Sequence, residues 1–304
     1  MSDVVSEALR RRLRKASSRL TELLEALSKT RADLDKLDGL LTDLELRLNK
    51  VRSTGYPFFR SLDEELKVLR RSWNETRGSL LTRLITLNSW ASSKAEEIRS
   101  MAKTARQSLR AGDQASAEVE VASLEDLLNE VEKRLRPELA GIEEALRPFS
   151  EGINRLTASI KLIENSLPFF EQASFKLKPG ERFLFAAKSK LVGEGEAKGV
   201  FYMTDKRLLF EEVREVVIRR RFLFFTEKKL ERKLLIDLPY DRVEGMSKTI
   251  LGLLAGYGLK VSLTGGAGEL SFDLKEEEID FVLRALNYIR SGRAEADKKL
   301  FSGP

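Results

Sequence analysis

LRRRLRKASSRLTELLEALSKTRADLDKLDGLLTDLELRLNKV, residues 9–51, carries apolar side chains at alternating spacings of four and three. The series is Leu9, Leu13, Ala16, Leu20, Leu23, Leu27, Thr30, Leu34, Leu37, Leu41, Leu44, Leu48 and Val51, and only Thr30 interrupts it. Such a sustained heptad seam predicts a long helix packed along its length against other helices. At ~1.5 Å per residue the seam spans roughly 65 Å. A helix of this kind encloses no cavity for a substrate, so it argues for scaffolding or tethering before catalysis. Leu24 and Leu40 flank the seam and widen its stripe beyond a two-helix interface.

The seam begins after Ser2 and Asp3, either able to cap a helix, and stops before Gly55-Tyr56-Pro57. A second helical pattern runs through Leu62, Leu66, Leu69, Trp73, Leu80, Leu84, Leu87, Ala91, Ile98, Met101 and Ala105 to a turn at Ala111-Gly112-Asp113. A third begins at Gln114, is interrupted by Pro137, and resumes as Leu139, Ile142, Leu146, Phe149, Ile153, Leu156, Ile160, Ile163 and Leu167. The sequence therefore predicts helices over about 3–53, 58–110 and 114–167, with a bend near 136–148. Short turns place consecutive helices side by side and antiparallel. The expected first domain, 1–170, is an elongated three-helix coiled-coil bundle; homo-oligomerisation through this region is compatible with it.

After Phe175 the period changes to two. Segments 182–186, 199–203, 207–210, 233–238, 258–263 and 269–274 read as strands separated by turn residues. A closing helix, Glu276 to Ile289, places Ile279, Val282, Leu283, Leu286 and Ile289 on one face behind an acidic first turn. The fold class is thus multidomain, α followed by α+β. A small β-barrel capped by a C-terminal helix occupies 175–291, and 292–304 is expected to be a flexible tail.

Residues 177–290 resemble the GRAM branch of the pleckstrin-homology-like fold. The resemblance is carried by Leu177-Lys178-Pro179-Gly180-Glu181, by Gly199-Val200-Phe201-Tyr202-Met203-Thr204-Asp205-Lys206-Arg207-Leu208-Leu209-Phe210, and by Ile236-Asp237-Leu238-Pro239-Tyr240-Asp241-Arg242-Val243. It implies a module that docks on membrane lipids or proteins. Lys188, Lys190 and Lys198 stand where the first strand ends and the second begins, without a compact cluster that would close a phosphate pocket.

The chain has 304 residues, a formal net charge of +6, and neither cysteine nor histidine. Disulfides, thiol or imidazole metal sites and every Cys- or His-dependent catalytic scheme are excluded. No cofactor is implied, and the chain is expected not to be an enzyme. Glutamine is confined to Gln107, Gln114 and Gln172 while Lys, Arg and Glu abound, a bias met in thermophiles. With no apolar leader and no stretch long enough to span a bilayer, the chain reads as soluble and cytoplasmic, peripheral at a membrane face if it docks there. Residues 175–304 hold 25 Lys+Arg against 20 Asp+Glu, which favours an anionic partner for the C-terminal part.

The most function-like stretch is Arg219-Arg220-Arg221-Phe222-Leu223-Phe224-Phe225-Thr226-Glu227-Lys228-Lys229. Cations beside a phenylalanine cluster suit a loop inserting into an anionic membrane; the same phenylalanines could equally form a strand packed on the protein. A second apolar segment, Ile250–Tyr257, offers Leu251, Leu253 and Leu254 as contacts for a membrane or a partner, or as core. The leading reading is a non-enzymatic scaffold or adaptor, in which the helical region positions a PH-like module against an anionic lipid surface or a protein. The alternative is a protein–protein assembly factor without lipid binding. Nucleic acid ranks third, because no recognition motif appears.

Overall fold

A computed structural model describes residues 2–193, 196–221, 225–252 and 256–302, with the backbone alone at 2–3, 217–221, 225–228 and 302. Three long helices lead: α1 Ser2–Ser53, α2 Ser61–Arg110 and α3 Gln114–Gln172. Seven strands follow: β1 Phe183–Val192, β2 Ala197–Thr204, β3 Arg207–Arg221, β4 Phe225–Pro239, β5 Val243–Ile250, β6 Tyr257–Leu263 and β7 Glu269–Asp273. Helices α4 Glu276–Arg290 and α5 Arg293–Ser302 close the chain. It divides into two compact units: residues 1–44 with 65–154, and residues 45–64 with 155–304.

In the first unit the α1 seam is buried from Leu9 to Leu44, Thr30 included. Thr30 satisfies its hydroxyl by donating to the Ala26 carbonyl at 3.0 Å, which is how a polar residue is tolerated there. Flanking ion pairs fix the register. Arg12 grips Glu125 through two nitrogens at 3.1 and 2.6 Å, and Arg19, one heptad later, pairs with Glu132, itself one heptad after Glu125. The constant offset means that α1 and α3 run parallel. α2 runs against both: Asp38 of α1 accepts from Trp73 Nε1 at 2.9 Å, and the Trp73 ring meets Phe149 of α3 edge-on at 5.1 Å. Gly112, at φ +78°, ends α2, and the Asp113 carboxylate caps α3 by accepting from Ser116 N at 3.1 Å.

α3 corrects the expected break. It continues through Pro137, Pro148 and Pro168 as one helix of 59 residues. All three prolines lie on its exposed side, where the carbonyl deprived of its N–H donor can be hydrated, so the helix loses a bond without burying a polar group. Its last seam position is also shifted: Ser166 is buried, and its hydroxyl donates to the Ala186 carbonyl of β1 at 2.9 Å.

The second unit is built on an antiparallel sheet in the order β4-β3-β2-β1-β7-β6-β5. Among the described residues its edge strands β4 and β5 are not paired with each other, so the sheet is open there where a closed barrel was expected. The main core faces α4, with the Phe272 ring in contact with both Phe201 and Phe210, and Phe185 against Phe281. A smaller cluster on the opposite face joins Ala186, Val200, Tyr202 and Leu209 to Phe169 and Phe170 of α3.

The α1–α2 corner belongs to this unit. Arg52 donates to the carbonyls of Tyr56, Phe58 and Phe59 at 3.0, 2.7 and 3.1 Å, and to Asp63, which sets the turn. Tyr56 donates its hydroxyl to the Leu184 carbonyl at 2.8 Å, and Phe59, at φ +55°, stacks on Tyr288 at 4.5 Å. The expected loose tail is instead α5. Ala294 is buried, Asp297 accepts from Tyr288 and from Arg60 N, and Lys298 pairs with Asp205. These partners lie far apart in sequence, which is why local polarity suggested a tail.

Candidate functional site

The residues behind the GRAM resemblance form a buried lock. Arg207, at the start of β3, reaches Glu181 through Nε at 2.8 Å and Nη2 at 3.0 Å, and also pairs with Asp237 of β4. Glu181 further accepts from Thr204 Oγ1 at 2.6 Å and from Lys178 N at 2.6 Å. The side chains of Arg207 and Glu181 are 4% and 0% exposed. The motif therefore ties the segment before β1 to the β2–β3 turn and to β4, a structural duty. A second buried carboxylate, Glu211, accepts from Ser174 N at 2.9 Å, Arg232 Nη1 at 2.8 Å and the Tyr202 hydroxyl at 3.3 Å. Burial first and the Glu211 charge second push the Tyr202 phenol well above its ordinary range.

β2 pairs with β3 only from Gly199↔Glu212 to Met203↔Leu208. Past Glu212, β3 has β4 as its one strand partner among the described residues, paired from Val213↔Arg232 to Arg221↔Phe225 with a one-residue slip between Val217 and Arg219. The result is a two-stranded ribbon running on from the sheet. Arg219–Lys229, expected as a loop, therefore lies largely in strands. Phe222, Leu223 and Phe224 lie outside the described residues, and Arg219, Arg220, Arg221, Phe225 and Lys228 are described by backbone alone. Lys229 is exposed, opposite Val216, itself 40% exposed. The ribbon, residues 213–232, carries seven Lys+Arg against three Asp+Glu. That surplus of four is most of the surplus of five in 175–304, so outside the ribbon the region is close to balanced.

At the base of the ribbon a cleft of about 940 Å³ opens between the end of α3 and the sheet. Its geometry follows from strand periodicity. Ala186 on β1 and Val200 and Tyr202 on β2 face α3, and the same face continues two residues at a time into Lys188 and Lys190 on one strand and Lys198 on the other. Lys190 stands directly opposite Lys198, a like-charge pairing that costs stability. The sequence showed these three lysines without a cluster; the cleft brings them together with Arg232 and Lys275. Lys190 pairs with Glu196 at 2.5 Å and Arg232 with Glu211, whereas Lys188 and Lys198 are exposed and have no ionic partner among the described residues. Glu278, in the first turn of α4 and also lining the cleft, has its carboxyl pushed up by burial, against the pull of the Lys275 N–H at 2.9 Å.

Leu251 is half-buried and its N–H donates to the Gly256 carbonyl at 3.1 Å; Leu253 and Leu254 lie outside the described residues. Lys275 and the α3 lining escaped the sequence reading because no local signal joins them to β1. The period-two run through Lys188 and Lys190, opposite Lys198, was the signal available for the rest. Among the described residues no group of three or more Asp and Glu side chains is placed to hold a metal ion, and no helix is long and apolar enough to cross a membrane.

No family model matches the chain, and no curated protein matches it. Among solved structures, the linker-DH/PH domains of p115-RhoGEF are 14% identical, with 91% of this chain and 98% of that chain covered at a TM-score of 0.27. A structure of Vav1 inhibited by an allosteric inhibitor is 13% identical over 96% of this chain and 60% of that one, at 0.29. The C-terminal domain of an unknown protein from Leishmania infantum is 14% identical over 36% and 83%, at 0.25.

Proposed function

We propose that the chain is a non-enzymatic adaptor whose sheet-bearing unit docks on an anionic membrane surface through the β3–β4 ribbon. The observation that carries this reading is the concentration of most of the C-terminal charge surplus in the ribbon. A two-stranded ribbon is marginally stable by itself, and a charged surface that neutralises it would order it. Each cation held near an anionic membrane contributes about 1 kcal/mol. Replacing Arg219, Arg220 and Arg221 by alanine should therefore weaken membrane partition by about two orders of magnitude. Flotation of the full chain with phosphatidylserine-containing vesicles, with and without added salt, tests this. Salt-insensitive flotation, or none, would sink it.

A protein partner is the second reading, favoured by the two open sheet edges, β4 and β5, where an extended segment could add a strand. Self-association through the helical region belongs to the same reading, since Val68, Ile85 and Val119 are exposed on the first unit. Concentration-dependent sedimentation of a chain that does not float would select it.

A further inference from the structure

We propose that the cleft between the end of α3 and the sheet binds an anionic amphiphile with one acyl chain. The chain would lie on the apolar floor, and the carboxylate or phosphate head would be held by Lys188 and Lys198. This rests on the reading of an anionic lipid partner and narrows it from a surface to a molecule.

At about 940 Å³ the cleft falls in the range of small-molecule sites, roughly 300–1,000 Å³. Leu162 and Phe169 of α3, with Ala186, Val200, Val213 and Leu230 of the sheet, make a floor that water wets at a cost. Leu230 is 58% exposed. The cations are sorted: those at Lys190 and Arg232 are committed to carboxylates, while those at Lys188 and Lys198 are not. Glu196 answers the Lys190 side of the opposed Lys190–Lys198 pair, and an anion over this face would answer the Lys198 side. A small hydrophilic anion would leave the floor uncovered, and an uncharged chain would leave the two lysines unused. An extended peptide needs free backbone N–H and C=O groups along a strand edge, and the face that lines this cleft presents side chains.

The test titrates the full chain, by calorimetry, with hexadecanoate and with a lysophosphatidate, each below its critical micelle concentration. Glycerol 3-phosphate and a monoacylglycerol of equal chain length serve as comparators. Saturable one-to-one binding of either anionic amphiphile supports the proposal, provided both comparators bind more weakly. Lys188→Glu with Lys198→Glu should weaken it by about tenfold or more, since each removed contact is a charge-assisted hydrogen bond. Leu230→Asp, at an exposed position, should weaken it without unfolding the sheet, which near-ultraviolet circular dichroism checks. Absence of saturable binding, equal binding of either comparator, or indifference to both variants overturns it. Replacing Arg219–Arg221 should leave amphiphile binding intact while abolishing flotation. A chain that floats yet binds no soluble amphiphile loses the cleft and keeps the docking.

Discussion

Replacing Arg207 by methionine should unfold the second unit's lock without changing side-chain volume greatly. In the wild type the guanidinium holds both Glu181 oxygens, Asp237 and the Lys176 carbonyl. Its removal leaves a fully buried carboxylate with only the Thr204 hydroxyl and the Lys178 N–H as donors. Breaking a buried pair from one side costs about 3–5 kcal/mol. Asp237, at 39% exposure, rehydrates and adds little. Adding Glu181→Gln removes the stranded charge and should recover about half of the loss.

The pH dependence has a definite sign. Desolvation pushes the Glu181 carboxyl up, but the bonds from Arg207, Thr204 and Lys178 together hold it below the ordinary carboxylate range. A depressed folded pKa contributes stability that is present above the unfolded value and is lost as pH falls through the folded one. Without Arg207 the desolvation dominates and the folded pKa rises, so the variant gains relative stability as Glu181 protonates. The deficit should be largest at neutral pH and shrink on acidification. The chain supplies its own probes, since both tryptophans, Trp73 and Trp90, lie in the first unit and all five tyrosines in the second. Urea unfolding followed by tyrosine circular dichroism therefore reads the affected unit. A loss below about 1 kcal/mol, the range of a surface pair, or one independent of pH would refute the argument.

Two further changes test the packing. Tyr56→Phe strips the donor from the buried Leu184 carbonyl and should lower the tyrosine-monitored stability by about 1–3 kcal/mol, whereas an unchanged urea midpoint would show that the corner is not held there. Thr30→Val replaces a buried hydroxyl, bonded only within its own helix, by a methyl of the same shape; the tryptophan-monitored midpoint should stay or rise by up to about 1 kcal/mol, and a fall would mean that the hydroxyl does more.

The helices were legible because their periodicity is local: the whole α1 seam is buried, and Leu24 and Leu40 are half-buried beside it. The strands were legible in number but for β5, whose Ser, Lys and Thr residues mask its alternation. Their lengths were not, since the polar second half of β3 and first half of β4 look like loop until they pair with each other. Glu181 and Arg207 stood out as motif residues, yet their partnership spans 26 positions, which no local pattern reports. The cleft was half-legible, as three lysines without the helix that completes it.

The α1–α2 corner has a consequence for synthesis. Phe59 is made 229 residues before Tyr288, on which it stacks and to whose hydroxyl its N–H donates. At roughly 5–20 residues per second the corner waits about 11–46 s on the ribosome for that partner. During that interval Phe58 and Phe59 lack the rings of Phe281 and Tyr288 that later pack on them. The nascent chain thus carries an uncovered aromatic at Phe59 until α4 has been made, and that corner is where a chaperone would find it.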